Sequence, residues 1–151
     1  TYRNAQEIIN IAGNFIQKNS NQIKKALISP KRIENPVFIQ SYDDSYSSNN
    51  SRKRGGVFEN IGVAINEAIA QIITYNNAEK KSKIPSILLI GRYGFDARNM
   101  CKSNQFSYDE KTGNVFSSKF GAKVKLNFMT AHSSKGLSAD NVIIINAKDT
   151  K

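Results

Sequence analysis

The chain has very little of the two residue types that most often build disulfides and zinc sites. Cys101 is the only cysteine and His132 the only histidine among 151 residues. A single cysteine excludes an internal disulfide, which is typical of proteins from a reducing compartment. One cysteine and one histidine also fall short of the usual set of zinc ligands, so we expect this chain to bind no metal.

Long apolar runs are missing as well. No stretch reaches the roughly 20 apolar residues of a membrane-spanning helix, and the first residues lack the charged-then-apolar pattern of a secretory signal. The composition, 39% hydrophobic and 23% charged, is that of a globular domain with one core. We therefore expect a single cytoplasmic domain over residues 1–151. Because the chain starts at Thr1 and stops at Lys151 directly after a predicted strand, we expect it to belong to a longer protein.

Acidic residues are the third scarcity. The 12 Asp and Glu residues are outnumbered by 22 Lys and Arg residues, which gives a net charge of +10. This imbalance favours an anionic partner, most simply nucleic acid. A basic domain that is merely soluble remains the alternative at this point.

The motifs of nucleotide hydrolysis are also missing. None of the nine glycines is followed by lysine, so the chain has no phosphate-binding loop of the Walker A type. No pair of carboxylates follows an apolar strand, and Asp109-Glu110-Lys111 resembles a nuclease centre only faintly because it lies beside a glycine turn. We expect the isolated chain not to hydrolyse nucleotides.

Periodic apolar residues predict two helices and one strand in the first half of the chain. Asn4 and Glu7 predict a capped helix through Ile16, followed by a second helix over Gln22–Leu27 and a short strand at Val37–Ile39. The polar stretch from about 41 to 56 predicts an exposed loop. Its basic triplet, 52–54, would contact a nucleic-acid backbone or simply be solvated.

The second half alternates helices with apolar strands. A long amphipathic helix is predicted over about Val57–Tyr75, a buried strand over Ser86–Ile90 and a short helix over Phe95–Cys101. A hairpin, or a loop with strand character, over Phe106–Phe116 and strands at 123–128 and 142–145 follow, the last one buried. Helices between buried strands predict an α/β fold with a parallel sheet.

The segment Thr130–Gly136 lies between two of these strands and carries hydroxyls, a lysine and a glycine. Such a loop is suited to an oxyanion at the carboxyl end of a strand. The alternative is a capped turn in which His132 is a structural histidine. A hydrolase built from Ser133, Ser134, His132 and Asp140 is disfavoured, because neighbours in sequence seldom form a catalytic triad.

Two further segments place arginine beside tyrosine. Gly91-Arg92-Tyr93-Gly94 follows the central strand, where a cation and an aromatic ring suit a nucleic-acid backbone and a base. Tyr2-Arg3 precedes the first helix, where the arginine fork suits a phosphate. Ordinary surface contacts are the alternative for both pairs.

These segments resemble motifs of superfamily 1 DNA helicases, the UvrD/Rep/PcrA group. Thr130–Ile144 is similar to motif V, with a tail most like that of the helicase IV branch. Tyr2–Ile8 resembles motif IV, and Ile87–Arg92 resembles the strand-plus-arginine element between the two motifs. The three segments occur in the family's order and span nearly the whole chain.

The resemblance implies a RecA-like three-layer fold with a mostly parallel sheet, the second motor domain (2A) of the P-loop NTPase type without Walker A. It implies that Tyr2 packs on adenine and that Arg3 reaches the γ-phosphate as the catalytic residue, with Gly136 and Ser138 also at the ATP. Ser138 stands where many members have a glutamate that contacts the ribose, which weakens that contact. The implied DNA-binding residues are Arg92, Thr130, His132, Ser133, Ser134 and Lys135.

The resemblance also implies the remaining features of the protein. We expect a bacterial, cytoplasmic, ATP-dependent DNA helicase or translocase, of the kind that acts in DNA repair. Its Mg²⁺ and Walker A lysine would belong to a first motor domain on the same polypeptide, its partner would be single-stranded DNA, and the large 2B insertion would be absent. The alternative is a non-catalytic helicase-like module that binds nucleic acid or a protein such as RNA polymerase.

Overall fold

A computed structural model describes residues 4–23, 25–43, 56–79 and 81–147, with only the backbone at 56–58. The chain divides into two compact units, Thr1–Ile39 and Gln40–Lys151. Tyr2, Arg3, the basic triplet 52–54 and most of the predicted polar loop lie outside the described residues. The organisation of residues 1–151 as a single domain therefore stays a prediction.

The described residues of the first unit form one helix, α1 (Gln6–Ile16). Its N-cap residue is Ala5, and no side chain caps the helix, so the predicted capping box of Asn4 and Glu7 is wrong. The Glu7 carboxylate instead accepts the Ile33 N–H at 3.1 Å. Backbone hydrogen bonds, from Glu7 itself and then from Ile33, lower the pKa of Glu7, and Arg32 adds a smaller charge effect.

The predicted second helix and first strand do not form. Gln22, Ile23 and residues 25–27 are not helical, and Val37–Ile39 is not a strand. The first turn of α1 binds the backbone at and just after the end of the predicted helix: the Gln6 side chain accepts the Ser29 N–H at 2.7 Å and donates to the Leu27 carbonyl at 3.2 Å. Such a short helix is marginal in water unless packing supports it, and Ile23 is 74% and Leu27 49% exposed, so no buried apolar face stabilises a helix here.

The second unit is built on a five-stranded sheet. Its strands are β1 (Ser86–Gly91), β2 (Phe106–Tyr108), β3 (Asn114–Ser117), β4 (Lys125–Thr130) and β5 (Asn141–Ile144). The strand order is β2-β3-β4-β1-β5. Strand β1 pairs in parallel with β4 and β5, whereas β2, β3 and β4 pair antiparallel. The α/β class and the predicted hairpin are confirmed, and the sheet is mixed with a parallel centre.

Two helices complete this unit, α2 (Gly56–Ala78) and α3 (Gly94–Cys101), with a short 3₁₀ helix at Gly121–Lys123. Both predicted helices are confirmed. One apolar cluster contains residues of both helices and of the sheet: Ile61, Ile65 and Ile69 of α2, Ala97 and Met100 of α3, and Ile87, Leu89, Leu126 and Phe128 of β1 and β4. No helix in the described ranges is long and apolar enough to cross a membrane.

Strand β5 differs from its prediction. It lies at the edge of the sheet and pairs with β1 alone. Ile143 packs against the core, but Val142 is 46% and Ile144 67% exposed. The prediction of a fully buried strand is therefore wrong, because alternate side chains of β5 point away from the helices that form the core.

Candidate nucleic-acid interface

Two of the predicted binding segments meet at one edge of the sheet. Strands β1 and β4 run parallel with Gly91 opposite Thr130, and the Ala131 N–H donates to the Gly91 carbonyl at 2.8 Å. The carboxyl ends of both strands therefore lie side by side. Arg92 and the Thr130–Gly136 loop, which are about 40 residues apart in sequence, become neighbours through this pairing.

The Thr130–Gly136 loop is held together by its own hydroxyl groups. Thr130 Oγ1 lies 2.9 Å from Ser133 Oγ and accepts the Ser133 N–H at 3.2 Å. The Ser134 hydroxyl donates to the Ala131 carbonyl at 3.0 Å, and the Ser134 N–H donates to the Thr130 carbonyl at the same distance. Three of the predicted DNA-binding residues thus shape the loop.

The two cationic or ionisable side chains of the loop point outward. His132 and Lys135 are exposed, and neither ring nor ammonium takes part in the bonds that close the loop. Gly136 has φ +83°, the left-handed conformation that glycine adopts freely. An exposed His132 is not a core histidine, which leaves it accessible to a ligand.

Arg92 lies beside a stacked pair of aromatic rings. Its guanidinium carbon is 5.3 Å from the centroid of the Tyr93 ring, and the Tyr93 and Phe95 rings stack with centroids 5.1 Å apart and planes 20° apart. Sequence reasoning paired Arg92 with Tyr93 but missed Phe95, which was assigned only as the start of a helix. The two rings are two residues apart in the turn after β1, and this spacing was the sequence signal that could have indicated a stacked pair.

A buried carboxylate holds this turn in place. Asp96 is 2% exposed; its Oδ2 accepts the Tyr93 N–H at 2.8 Å and its Oδ1 accepts the Asn146 side-chain N–H at 3.1 Å. Asn146 follows β5 with φ +55°, and its Oδ1 lies 3.4 Å from the Tyr42 hydroxyl. Burial, and secondarily the Asp96 charge, raises the pKa of Tyr42.

Sequence reasoning also missed Asp96. An aspartate three residues after Tyr93 marks the first turn of a helix, and that signal was present. What it does not reveal is that the carboxylate joins the ends of β1 and β5. Asp96 therefore fixes the backbone on which Arg92 and Tyr93 stand.

The catalytic alternatives find no support in the geometry. The Ser133 and Ser134 hydroxyls bond within the loop rather than to His132, so no nucleophile is paired with a base. The Asp109 carboxylate accepts the Lys111 N–H at 3.0 Å and the Thr112 hydroxyl at 2.7 Å inside the hairpin turn. These bonds, with that of Thr112 the largest influence, lower the pKa of Asp109. In the described ranges no three His, Cys, Asp or Glu side chains are grouped to hold a metal ion.

The predicted ATP-binding residues are only partly described. Tyr2 and Arg3 lie outside the described residues. Gly136 and Ser138 are exposed, at the end of the loop and in the segment that leads to β5. This segment offers a nucleotide one exposed turn but no enclosing phosphate loop.

Comparisons of the chain with protein-family models, curated proteins and solved structures find no significant match in any of the three. The relation to superfamily 1 helicases therefore rests on the sequence motifs and is a proposal.

Proposed function

We propose that the chain is the second motor domain of an ATP-dependent DNA helicase or translocase of superfamily 1, with the RecA-like three-layer arrangement of that family. One observation carries the proposal. The motif V-like loop and the Arg92 turn, two separate segments of the resemblance, meet at the carboxyl edge of β1 and β4. Ligands of open α/β sheets bind at that edge.

The different roles of the side chains in the Thr130–Gly136 loop support a binding surface, or track, for single-stranded DNA. Thr130, Ser133 and Ser134 fix the backbone, so that the exposed His132 and Lys135 are presented without further ordering. Lys135 and Arg92 would supply positive charge to the phosphates, and His132 a further donor. The net charge of +10 strengthens this attraction at low salt.

ATP would bind between this domain and a first motor domain that supplies the Walker A lysine and Mg²⁺. When bound, ATP would provide the energy of its γ-phosphate transfer. Tyr2 would stack on the base, Arg3 would contact the γ-phosphate, and Gly136 and Ser138 would lie beside the nucleotide. The exposure of Gly136 and Ser138 is compatible with such a shared cleft.

The DNA contact is tested with the 151-residue chain and a fluorescently labelled single-stranded oligonucleotide. Fluorescence anisotropy is measured over a series of salt concentrations. Lys135→Ala should weaken binding and reduce the slope of log K against log salt by about 0.7, the value for one phosphate contact on a single strand. His132→Ala should weaken binding in the same direction.

Lys123→Ala is the matched control for this experiment. Lys123 is also exposed but precedes β4, at the opposite end of the strand from Thr130. It removes the same charge and should leave the slope unchanged. If the Lys135 and Lys123 substitutions changed the salt slope equally, the loop would contribute only its positive charge. That result would contradict a specific contact between the Thr130–Gly136 loop and the DNA strand. A wild-type chain that binds no oligonucleotide would favour a module for a protein partner.

A further inference from the structure

We propose that Tyr93 and Phe95 form a stacking platform for unpaired bases of single-stranded DNA. This inference rests on the proposed function and assigns the residues that contact the bases rather than the phosphates. The two rings are stacked, with centroids 5.1 Å apart, yet Tyr93 is 48% and Phe95 47% exposed. Because the Arg92 guanidinium already lies over the Tyr93 ring, the accessible surface of Phe95 is the place where a base would stack on the pair.

Phe95 does not serve the core of the protein. The residues of α3 that are buried are Asp96, Ala97 and Met100, and Phe95 is not among them. The pair Tyr108 and Phe128 shows the structural use of aromatics in this fold: those rings meet edge to face, with planes 75° apart, and Phe128 is buried. The Tyr93–Phe95 pair is the opposite case, a nearly parallel stack on the surface.

The charge around the stack matches a nucleic acid. The Arg92 guanidinium lies over the Tyr93 ring, and the loop that carries His132 and Lys135 is bonded to the strand end from which Arg92 emerges. Base faces and backbone phosphates would therefore be bound side by side at one sheet edge. Stacking requires only a π-face, so the platform would accept any base but not a base inside a duplex.

The platform is also fixed before a ligand arrives. Asp96 accepts the Tyr93 N–H at 2.8 Å, and Gly91 lies against the Asp96 side chain so closely that a methyl group does not fit. A rigid aromatic surface loses little conformational entropy on binding. This rigidity supports base stacking as the role of the platform, because a mobile exposed ring would lose part of the stacking free energy to the entropy cost of becoming ordered.

The test compares two labelled probes of equal length, a thymidine oligonucleotide and an abasic oligonucleotide with the same phosphates. The measured quantity is the ratio of their dissociation constants for the 151-residue chain. Wild type should prefer the base-bearing probe by about fivefold or more, as expected for one stacked base. Tyr93→Ala and Phe95→Ala should each bring the ratio close to one while salt-dependent binding of the abasic probe persists.

Two variants serve as controls. Tyr93→Phe keeps the π-face and should keep the preference. Phe116→Ala removes an aromatic ring that is 61% exposed on β3, near the end of the sheet remote from Thr130, and should leave the ratio unchanged. Because both affinities belong to one protein sample, a partly unfolded variant changes each of them equally and not their ratio.

The outcomes separate this inference from the proposed function. A wild-type ratio of one, or a preference that survives both alanine variants, overturns the platform and leaves the backbone track intact. Loss of the preference in Phe116→Ala as well overturns the assignment to Tyr93 and Phe95. Failure of wild type to bind either probe overturns both proposals.

Discussion

At the residue scale, the candidate interface depends on two residues, Asp96 and Gly91, that lie behind the predicted binding residues. Asp96 bonds the turn after β1 to Asn146 after β5, and Gly91 leaves the room that Asp96 occupies. A buried carboxylate is tolerated only where its oxygens are satisfied, and here both oxygens accept hydrogen bonds. Gly91 lies in a segment that the sequence analysis singles out, but the packing role of either residue is not visible in the sequence, because it depends on which strands become neighbours.

Gly91→Ala should destabilise the second unit by about 1–3 kcal/mol, the usual cost of overpacking a core. A Cβ at Gly91 would lie 2.8 Å from Asp96 Cβ and 2.9 Å from the Phe128 ring, and both neighbours are buried. Denaturant unfolding followed by circular dichroism measures the change. Gly94→Ala is the matched control, because nothing lies within 4 Å of a Cβ there. Equal stability of both variants would contradict the tight packing at Gly91.

The same scale shows what local sequence reveals about the site. The hydroxyls, lysine and glycine of the Thr130–Gly136 loop were readable as a binding loop, and the structure gives the hydroxyls an internal role. Phe95 and Asp96 were not readable as site residues, because an aromatic and an acid at the start of a helix are ordinary there. Their significance comes from the stack with Tyr93 and from the contact with Asn146.

At the element scale, α2 contains a glycine that helix propensity alone would disfavour. Gly62 lies in the middle of the helix, where alanine is normally better by about 1 kcal/mol. A Cβ at Gly62 would lie 2.5 Å from Ser103 Oγ and 2.6 Å from Ser103 Cβ. Ser103 is buried and its hydroxyl donates to the Met100 carbonyl at 2.7 Å, so it cannot move aside freely.

Gly62→Ala should therefore lower the protection of α2 amides against hydrogen exchange, despite the gain in helix propensity. Gly13→Ala in α1 is the matched control: nothing lies within 4 Å of its Cβ, so it should raise protection in α1 by up to about 1 kcal/mol. Ser103→Gly should reduce the cost of Gly62→Ala in a double-mutant cycle. Increased protection of α2 in Gly62→Ala would contradict the steric role of this glycine.

Most elements of the second unit were predictable, and those of the first unit were less so. The isoleucine spacing of α2, the apolar run of β1 and the glycine turn of the hairpin are strong local signals, and all three elements form. The predicted helix over Gln22–Leu27 does not form because Ile23 and Leu27 are exposed, so that no packed apolar face stabilises so short a helix. The prediction that β5 is buried is wrong because the sequence does not show that the helices forming the core cover only one face of β5, so that Val142 and Ile144 on the other face are exposed.

At the scale of the whole molecule, the proposed activity requires the chain to join two ligands. The described sheet edge would supply the side for single-stranded DNA, through the Thr130–Gly136 loop and the Arg92 turn. The proposed contacts to ATP come from Tyr2, Arg3, Gly136 and Ser138, so Gly136 and Ser138 would border both ligands. A nucleotide that altered the Gly136–Ser138 segment would therefore act directly on the loop that holds His132 and Lys135.

In a protein that joins this chain to a first motor domain with a Walker A lysine, Arg3→Ala and His132→Ala should fail in different ways. Arg3→Ala should retain DNA binding and reduce ATP turnover by a factor on the order of 1,000, because an arginine at the γ-phosphate stabilises the transferring group. His132→Ala should lower DNA-stimulated turnover more than basal turnover. Steady-state ATPase assays with and without single-stranded DNA measure both.

Unchanged ATP turnover in Arg3→Ala would contradict the catalytic role of Arg3. Equal losses of the basal and the DNA-stimulated rate in His132→Ala would contradict a DNA contact of His132. If the wild-type protein turned over no ATP with or without single-stranded DNA, the motor proposal would give way to the non-catalytic binding module.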